Sequence, residues 1–152
     1  MRHLCDSNVF VALAISGHQH HPVASAWLDG LSDGDTAELC RMTQNSFLRL
    51  VTTDAFMKPH TLTNEQALET LRTLRNDGRV AACLEEPLSR ETRWFAFTTA
   101  TMAAPLRWMD AYLAAFAIES GMRYVTFDRG FKKFAPMGLD LLLLSPETPA
   151  RI

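Results

Sequence analysis

Cysteine is scarce in this chain, with three residues among 152, at positions 5, 40 and 83. An odd and widely spaced set among apolar neighbours excludes a disulfide framework and a Cys-ligated zinc motif. It suits buried, reduced thiols in a cytoplasmic protein. No apolar run approaches the roughly 20 residues that cross a bilayer, so no membrane role is expected. Asp6 and Asn8 interrupt the opening segment, so it does not read as a signal peptide. Charge of one sign is missing too. Fifteen Lys and Arg against 17 Asp and Glu leave a net charge of -2, which gives no general argument for nucleic acid. Internal repeats and low-complexity segments are absent. The length suits one domain with an ordinary core.

What remains is an alternation of short β-like and longer helix-like segments. Arg2 to Cys5 is a short strand, and Val9 to Ile15 reads as a first helix ended by Ser16-Gly17. His20 to Leu31 reads as a second helix with Pro22 in its first turn. Thr36 to Met42 suits a strand, followed by a helix that opens at Thr43-Gln44-Asn45. Thr63 with Gln66 forms a capping-box pattern, and Asp77-Gly78 stops that helix before a short strand over Val80 to Leu84. Ser89 to Thr101 would suit a strand by composition, but its place between strands favours a helix. A helix over Met109 to Ser120 ends at Gly121. A strand over Tyr124 to Phe127, a turn or short helix over Gly130 to Phe134 and a strand over Leu139 to Leu144 complete the pattern. It predicts a parallel sheet with helices on both faces.

Three aspartates fall at the seams of this pattern. Asp6 follows the first strand, Asp110 opens the Met109 to Ser120 helix, and Asp128 follows Tyr124 to Phe127. In a parallel α/β sheet the carboxyl ends of the strands line one edge, where sites form. Carboxylates gathered there repel one another unless a cation lies between them, so the pattern points to a hard divalent ion and phosphodiester chemistry. Asn8 is placed to order the Asp6 carboxylate, and Thr126 to bring a hydroxyl to the cluster. Each aspartate also has a purely structural use: Asp6 and Asp110 as helix-start residues, Asp128 in an Asp-Arg-Gly turn.

Near Asp128 the charge is locally basic, with Arg129, Lys132 and Lys133 as candidates for phosphate contact or for an ordinary solvated surface. His18-Gln19-His20-His21 does not follow a structural zinc spacing and reads as a turn beside a helix start. Trp27, Trp94 and Trp108 read as packing residues.

The motifs Cys5-Asp6-Ser7-Asn8, Met42-Thr43-Gln44-Asn45-Ser46-Phe47-Leu48-Arg49-Leu50, Met109-Asp110-Ala111-Tyr112-Leu113-Ala114-Ala115-Phe116-Ala117 and Val125-Thr126-Phe127-Asp128-Arg129-Gly130-Phe131 occur in this order. Together they make the chain resemble the PIN-domain family, especially its VapC-type ribonuclease toxins of type II toxin–antitoxin systems. The resemblance implies a PIN-like α/β domain over 1–146, with about five parallel strands, and a short tail over 147–152. It implies Mg²⁺- or Mn²⁺-dependent cleavage of RNA, a small antitoxin partner and a homodimer. It places Asp6, Asp110 and Asp128 on the family's acidic positions, and Asn8 and Thr126 on its polar neighbours. Ser46 stands where many members carry a glutamate, and Glu38 lies in the preceding strand. That departure leaves the number of ions open. It also keeps a non-cutting RNA- or protein-binding domain as an alternative, beside a metal-dependent phosphohydrolase on another α/β fold.

Overall fold

The computed structural model describes residues 1–99 and 101–145. The expected tail over 147–152 lies outside the described residues. Five strands, β1 (Arg2–Cys5), β2 (Thr36–Cys40), β3 (Val80–Cys83), β4 (Arg123–Thr126) and β5 (Leu141–Leu143), form one sheet. All four pairings are parallel, in the order β3-β2-β1-β4-β5.

Side-chain alternation sorts the strands between two cores. In β1, Leu4 faces one core and Cys5 the other; in β4, Tyr124 and Val125 divide the same way. Helices α1 (Ser7–Ala14), α2 (His21–Asp29), α3 (Arg41–Val51), α4 (Asp54–Met57) and α5 (Asn64–Asn76) cover the Cys5 and Val125 face. Helices α6 (Arg90–Thr98) and α7 (Arg107–Glu119), with a 3₁₀ segment over Arg129–Met137, cover the Leu4 and Tyr124 face. Both strands begin on an arginine at the sheet's edge and run inward to residues buried on both faces, Leu4 and Cys5 in β1 and Tyr124 and Val125 in β4.

The chain turns one way from β1 to β2 and the other way from β4 to β5. The carboxyl ends of β1 and β4 therefore flank the topological switch point, where open α/β sheets form their sites. Asp6 and Asp128 lie at the exits of these two adjacent strands.

Several boundaries differ from the sequence expectation. β2 ends at Cys40, and α3 begins at Arg41 rather than Thr43. The Thr43 hydroxyl turns back to donate to the Cys40 carbonyl (3.0 Å), so it is spent inside the first turn. The ambiguous segment is a helix over Arg90–Thr98, packed against α7 by Phe97, Trp94 and Tyr112. α7 begins at Arg107, so Asp110 lies within its first turn rather than opening it. Cys83 is half-buried, unlike Cys5 and Cys40, because β3 is an edge strand. The Thr63 capping box is present, with both reciprocal hydrogen bonds. Among the described residues no helix is long and apolar enough to cross a membrane.

Arg79 fastens the turn between α5 and β3. It bonds Asp77 through its backbone and side chain and reaches the Leu28 carbonyl (3.1 Å) and Asp29 (2.8 Å) at the end of α2. Its guanidinium holds the Asp77 carboxyl down at about 2, against an ordinary value of 3.8. The stabilisation from Asp77 is therefore complete above the ordinary value and disappears as the pH falls through about 2. Asp77→Asn should lower the melting temperature at neutral pH, and its acid-side decline should be shallower than that of the wild type. Thermal melts across the acid range check this.

Candidate active site

Asp6 leaves β1 with its backbone N–H donating to the Val125 carbonyl on β4 (2.9 Å), so the two strand exits are tied together. It occupies the N-cap position of α1, yet its side chain makes no capping hydrogen bond. The carboxylate points instead into a knot of side chains. Asp6 Oδ2 accepts from Thr126 Oγ1 (2.7 Å) and from Asn8 Nδ2 (2.9 Å), and Oδ1 accepts from Ser7 Oγ (3.2 Å). Thr126 Oγ1 accepts in turn from Asn8 Nδ2 (3.1 Å) and from the Asp128 N–H (2.9 Å). Asn8 Oδ1 accepts from the Phe127 N–H (3.3 Å). One hydroxyl thus joins Asp6, Asn8 and Asp128 across two strands.

Burial pushes the Asp6 carboxyl above its ordinary value, although the hydrogen bonds from Thr126 and Ser7 pull the other way. A carboxylate held in this way, with neutral donors and, among the described residues, no basic side chain bonded to it, is short of positive charge.

Asp128 caps the 3₁₀ segment. Its Oδ1 accepts from the Gly130 N–H (2.7 Å), so the turn role foreseen for it is present and occupies one oxygen. Asp110 lies in the first turn of α7, on the other face of the sheet. Its Oδ2 accepts from Lys133 Nζ (2.8 Å), a residue of the same 3₁₀ segment that Asp128 caps. Lys133 also lies over the Phe134 ring. Lys133, a candidate for phosphate contact or for solvated surface, is bonded here to Asp110. Arg129 and Lys132 are exposed beside it.

The structure thus links Asp6, Asn8, Thr126 and Asp128 through one hydrogen-bonded knot, while Asp110 pairs with Lys133 on the 3₁₀ segment that Asp128 caps. Among the described residues, no three His, Cys, Asp or Glu side chains are gathered closely enough to form a metal-holding group as they stand. The donor chemistry nevertheless fits a hard cation: carboxylate and hydroxyl oxygens, one carboxylate desolvated without a counter-charge and another already resting on a cation. Tyr124 supplies a further polar atom. Its phenol is fully buried with no hydrogen-bond partner among the described residues, and the charges of Asp6 and Asp110 add to the burial that pushes its pKa up. Its place in the middle of β4 gave no sign that this phenol would feel the charge of the carboxylates.

Glu38 does not belong to the group. Its carboxylate is buried and bonded to Arg2 through both oxygens (2.7 and 2.8 Å), with Thr36 as a third donor (2.9 Å). Ser46 is half-buried on α3. Among the tryptophans, Trp27 meets His3 edge-on and Trp94 packs edge-on against Tyr112 and donates to the Trp108 carbonyl (2.9 Å), whereas the Trp108 side chain, expected to pack, is 54% exposed.

The PIN-domain pattern matches residues 4–136. Ribonuclease VapC41 of Mycobacterium tuberculosis is 40% identical over 145 residues, which cover 93% of this chain and 98% of that protein. Among solved structures, VapBC2 from Rickettsia felis, bound to a DNA fragment from its promoter, has a TM-score of 0.67 at 15% identity. That match covers 95% of this chain and all of the other. Mycobacterium tuberculosis VapC20, a sarcin-ricin loop cleaving toxin, has a TM-score of 0.60 at 13% identity over 90% of this chain and 95% of its own. Strand order, the carboxylates at the β1 and β4 exits and a sequence match over most of the length agree: the chain belongs to the PIN-domain family, on its VapC side.

Proposed function

We propose that the chain is an endoribonuclease, the toxin of a type II toxin–antitoxin pair. In this reading Asp6, Asp110 and Asp128 hold a Mg²⁺ or Mn²⁺ ion, and Asn8 and Thr126 keep the carboxylates in place. The observation that carries it is the knot at the switch point, where a desolvated Asp6 carboxylate is aimed by Thr126 and Asn8 rather than used as a helix cap. Its 40% identity to a protein named as a ribonuclease supports the same reading.

Such an ion, when bound, supplies charge to a scissile phosphate and acidifies a water. The remaining work falls to the chain itself. Asn8 and Thr126 fix the Asp6 carboxylate so that little reorganisation accompanies the reaction. Lys133, bonded to Asp110 on the segment that Asp128 caps, would meet a substrate phosphate beside the carboxylates. Arg129 and Lys132 meet flanking phosphates as position-setting contacts. A small antitoxin is the expected silencing partner, a homodimer the expected assembly and the cytoplasm the expected compartment.

Incubation with a mixed RNA pool in Mn²⁺ tests the reading, with chelator, Asp110→Asn and a small aryl phosphate as comparisons. Cleavage of RNA alone, lost with chelator and in the variant, is expected. Hydrolysis of the aryl phosphate instead of RNA would favour a phosphohydrolase. A folded wild type that binds RNA and never cuts it would favour a non-cutting domain, the reading to which Ser46 points.

A further inference from the structure

A cavity of about 330 Å³ lies between the α1–α2 loop and the segment after α4. Its lining includes His18, Gln19, Phe56, Lys58 and His60. Two ring contacts lead from it to Phe127 after β4. The His18 ring lies 5.6 Å from that of His20, and the His20 ring stacks on Phe127 at 4.5 Å and an angle of 17°. Phe127 stands in the chain between Thr126 and Asp128, so this row of rings runs from the cavity's His18 to the segment that carries the proposed site.

Its chemistry is that of a nucleotide subsite. Phe56 is 72% exposed, an unusual state for a phenylalanine and the form in which an aromatic ring offers its face to a base. Lys58 is an exposed cation held only by a 3.5 Å pairing with Asp54. His18 Nδ1 accepts from the His20 N–H (3.2 Å), which fixes the tautomer of the neutral ring and leaves Nε2–H as a donor. Burial and the neighbouring His20 and His21 lower the His18 pKa and favour that neutral form. Gly17 lets the two walls meet: a Cβ there would lie 2.8 Å from His60 Nε2.

We infer that this cavity is a subsite for single-stranded RNA, in which a base stacks on Phe56 and the adjoining phosphate meets Lys58 and the His18 and His60 imidazoles. The inference rests on the nuclease reading and adds to it where the strand runs beyond the cut. The histidine run is then part of a path for the strand rather than a zinc site. Stacking and phosphate contact have different signatures, because only the second releases counterions.

The test uses the folded Asp6→Asn protein, to prevent cutting, and a fluorescent single-stranded RNA across a range of salt. Phe56→Ala in that background should weaken binding about tenfold or more with no change in salt slope. Lys58→Ala should weaken it and lower the slope by about one. Unchanged binding in either variant overturns the subsite. Wild-type cleavage run in parallel separates the two failures: persistent cutting leaves the nuclease reading intact, whereas a wild type that neither binds nor cuts RNA removes both.

Discussion

Asp6→Asn should lower RNA cleavage at least about 10³-fold and, in chelator at neutral pH, raise the melting temperature. The first effect follows from removing a charged ligand whose contribution to transition-state stabilisation is several kcal/mol. The second follows from burial. The folded carboxyl sits above its ordinary value of 3.8, so the folded state holds this proton more tightly than the unfolded chain. Stability therefore falls as pH rises between the unfolded and folded values, and the cost is fully present above both. The amide of the variant carries no such cost. Its oxygen can still accept from Thr126 and Asn8, and its N–H₂ can face a Ser7 hydroxyl turned to accept. If Asp6 were merely a helix cap, the same change would be nearly neutral or destabilising and leave cleavage untouched. Single-turnover cleavage and melts of the two proteins distinguish these cases.

Thr126→Val should cost both fold and activity. The side chain is fully buried, and its hydroxyl makes three hydrogen bonds: one donated to Asp6, two accepted from Asn8 and the Asp128 N–H. An isosteric valine keeps the packing volume and strands those partners. Leaving buried polar groups unpaired costs about 1–3 kcal/mol. Loss of the group that aims a ligand lowers metal affinity or turnover by roughly 10–100-fold. Thr126→Ser retains the hydroxyl and should recover most of the activity, an outcome that a purely steric role would not give. Chemical denaturation and Mn²⁺ affinity of both variants provide the readout.

The sequence carried the architecture because the sheet is buried on both faces. Its short apolar runs, separated by helical periods and Gly or Asp stops, admit few other arrangements. Asp6, Asn8, Thr126 and Asp128 were legible for a related reason: each is a polar residue at the end of an apolar strand or in the first turn after one. The knot among them follows from strand adjacency. The Lys133 to Asp110 pair was hidden, because it joins residues 23 apart whose proximity depends on how the 3₁₀ segment folds over α7. Position alone made Lys133 another cation in a basic stretch. The Phe56 and Lys58 cavity was hidden too, since α4 is a single turn of helix with no periodicity to read. Helix starts moved by up to two residues, as at Arg41, where the Thr43 hydroxyl bonds the Cys40 carbonyl, and at Arg107, whose N–H bonds the Ala104 carbonyl; local backbone bonding rather than hydrophobic period sets these boundaries.

The central claim is that the carboxylates at the β1 and β4 exits, with Asp110, hold a divalent ion. Calorimetric titration of Mn²⁺ into the wild type, Asp6→Asn and Asp110→Asn tests it most directly. The account predicts saturable binding by the wild type and its loss in both variants, with all three proteins folded. Equal binding in all three, or none in a folded wild type, would contradict it and return Asp6 and Asp128 to the strand exits as structural residues.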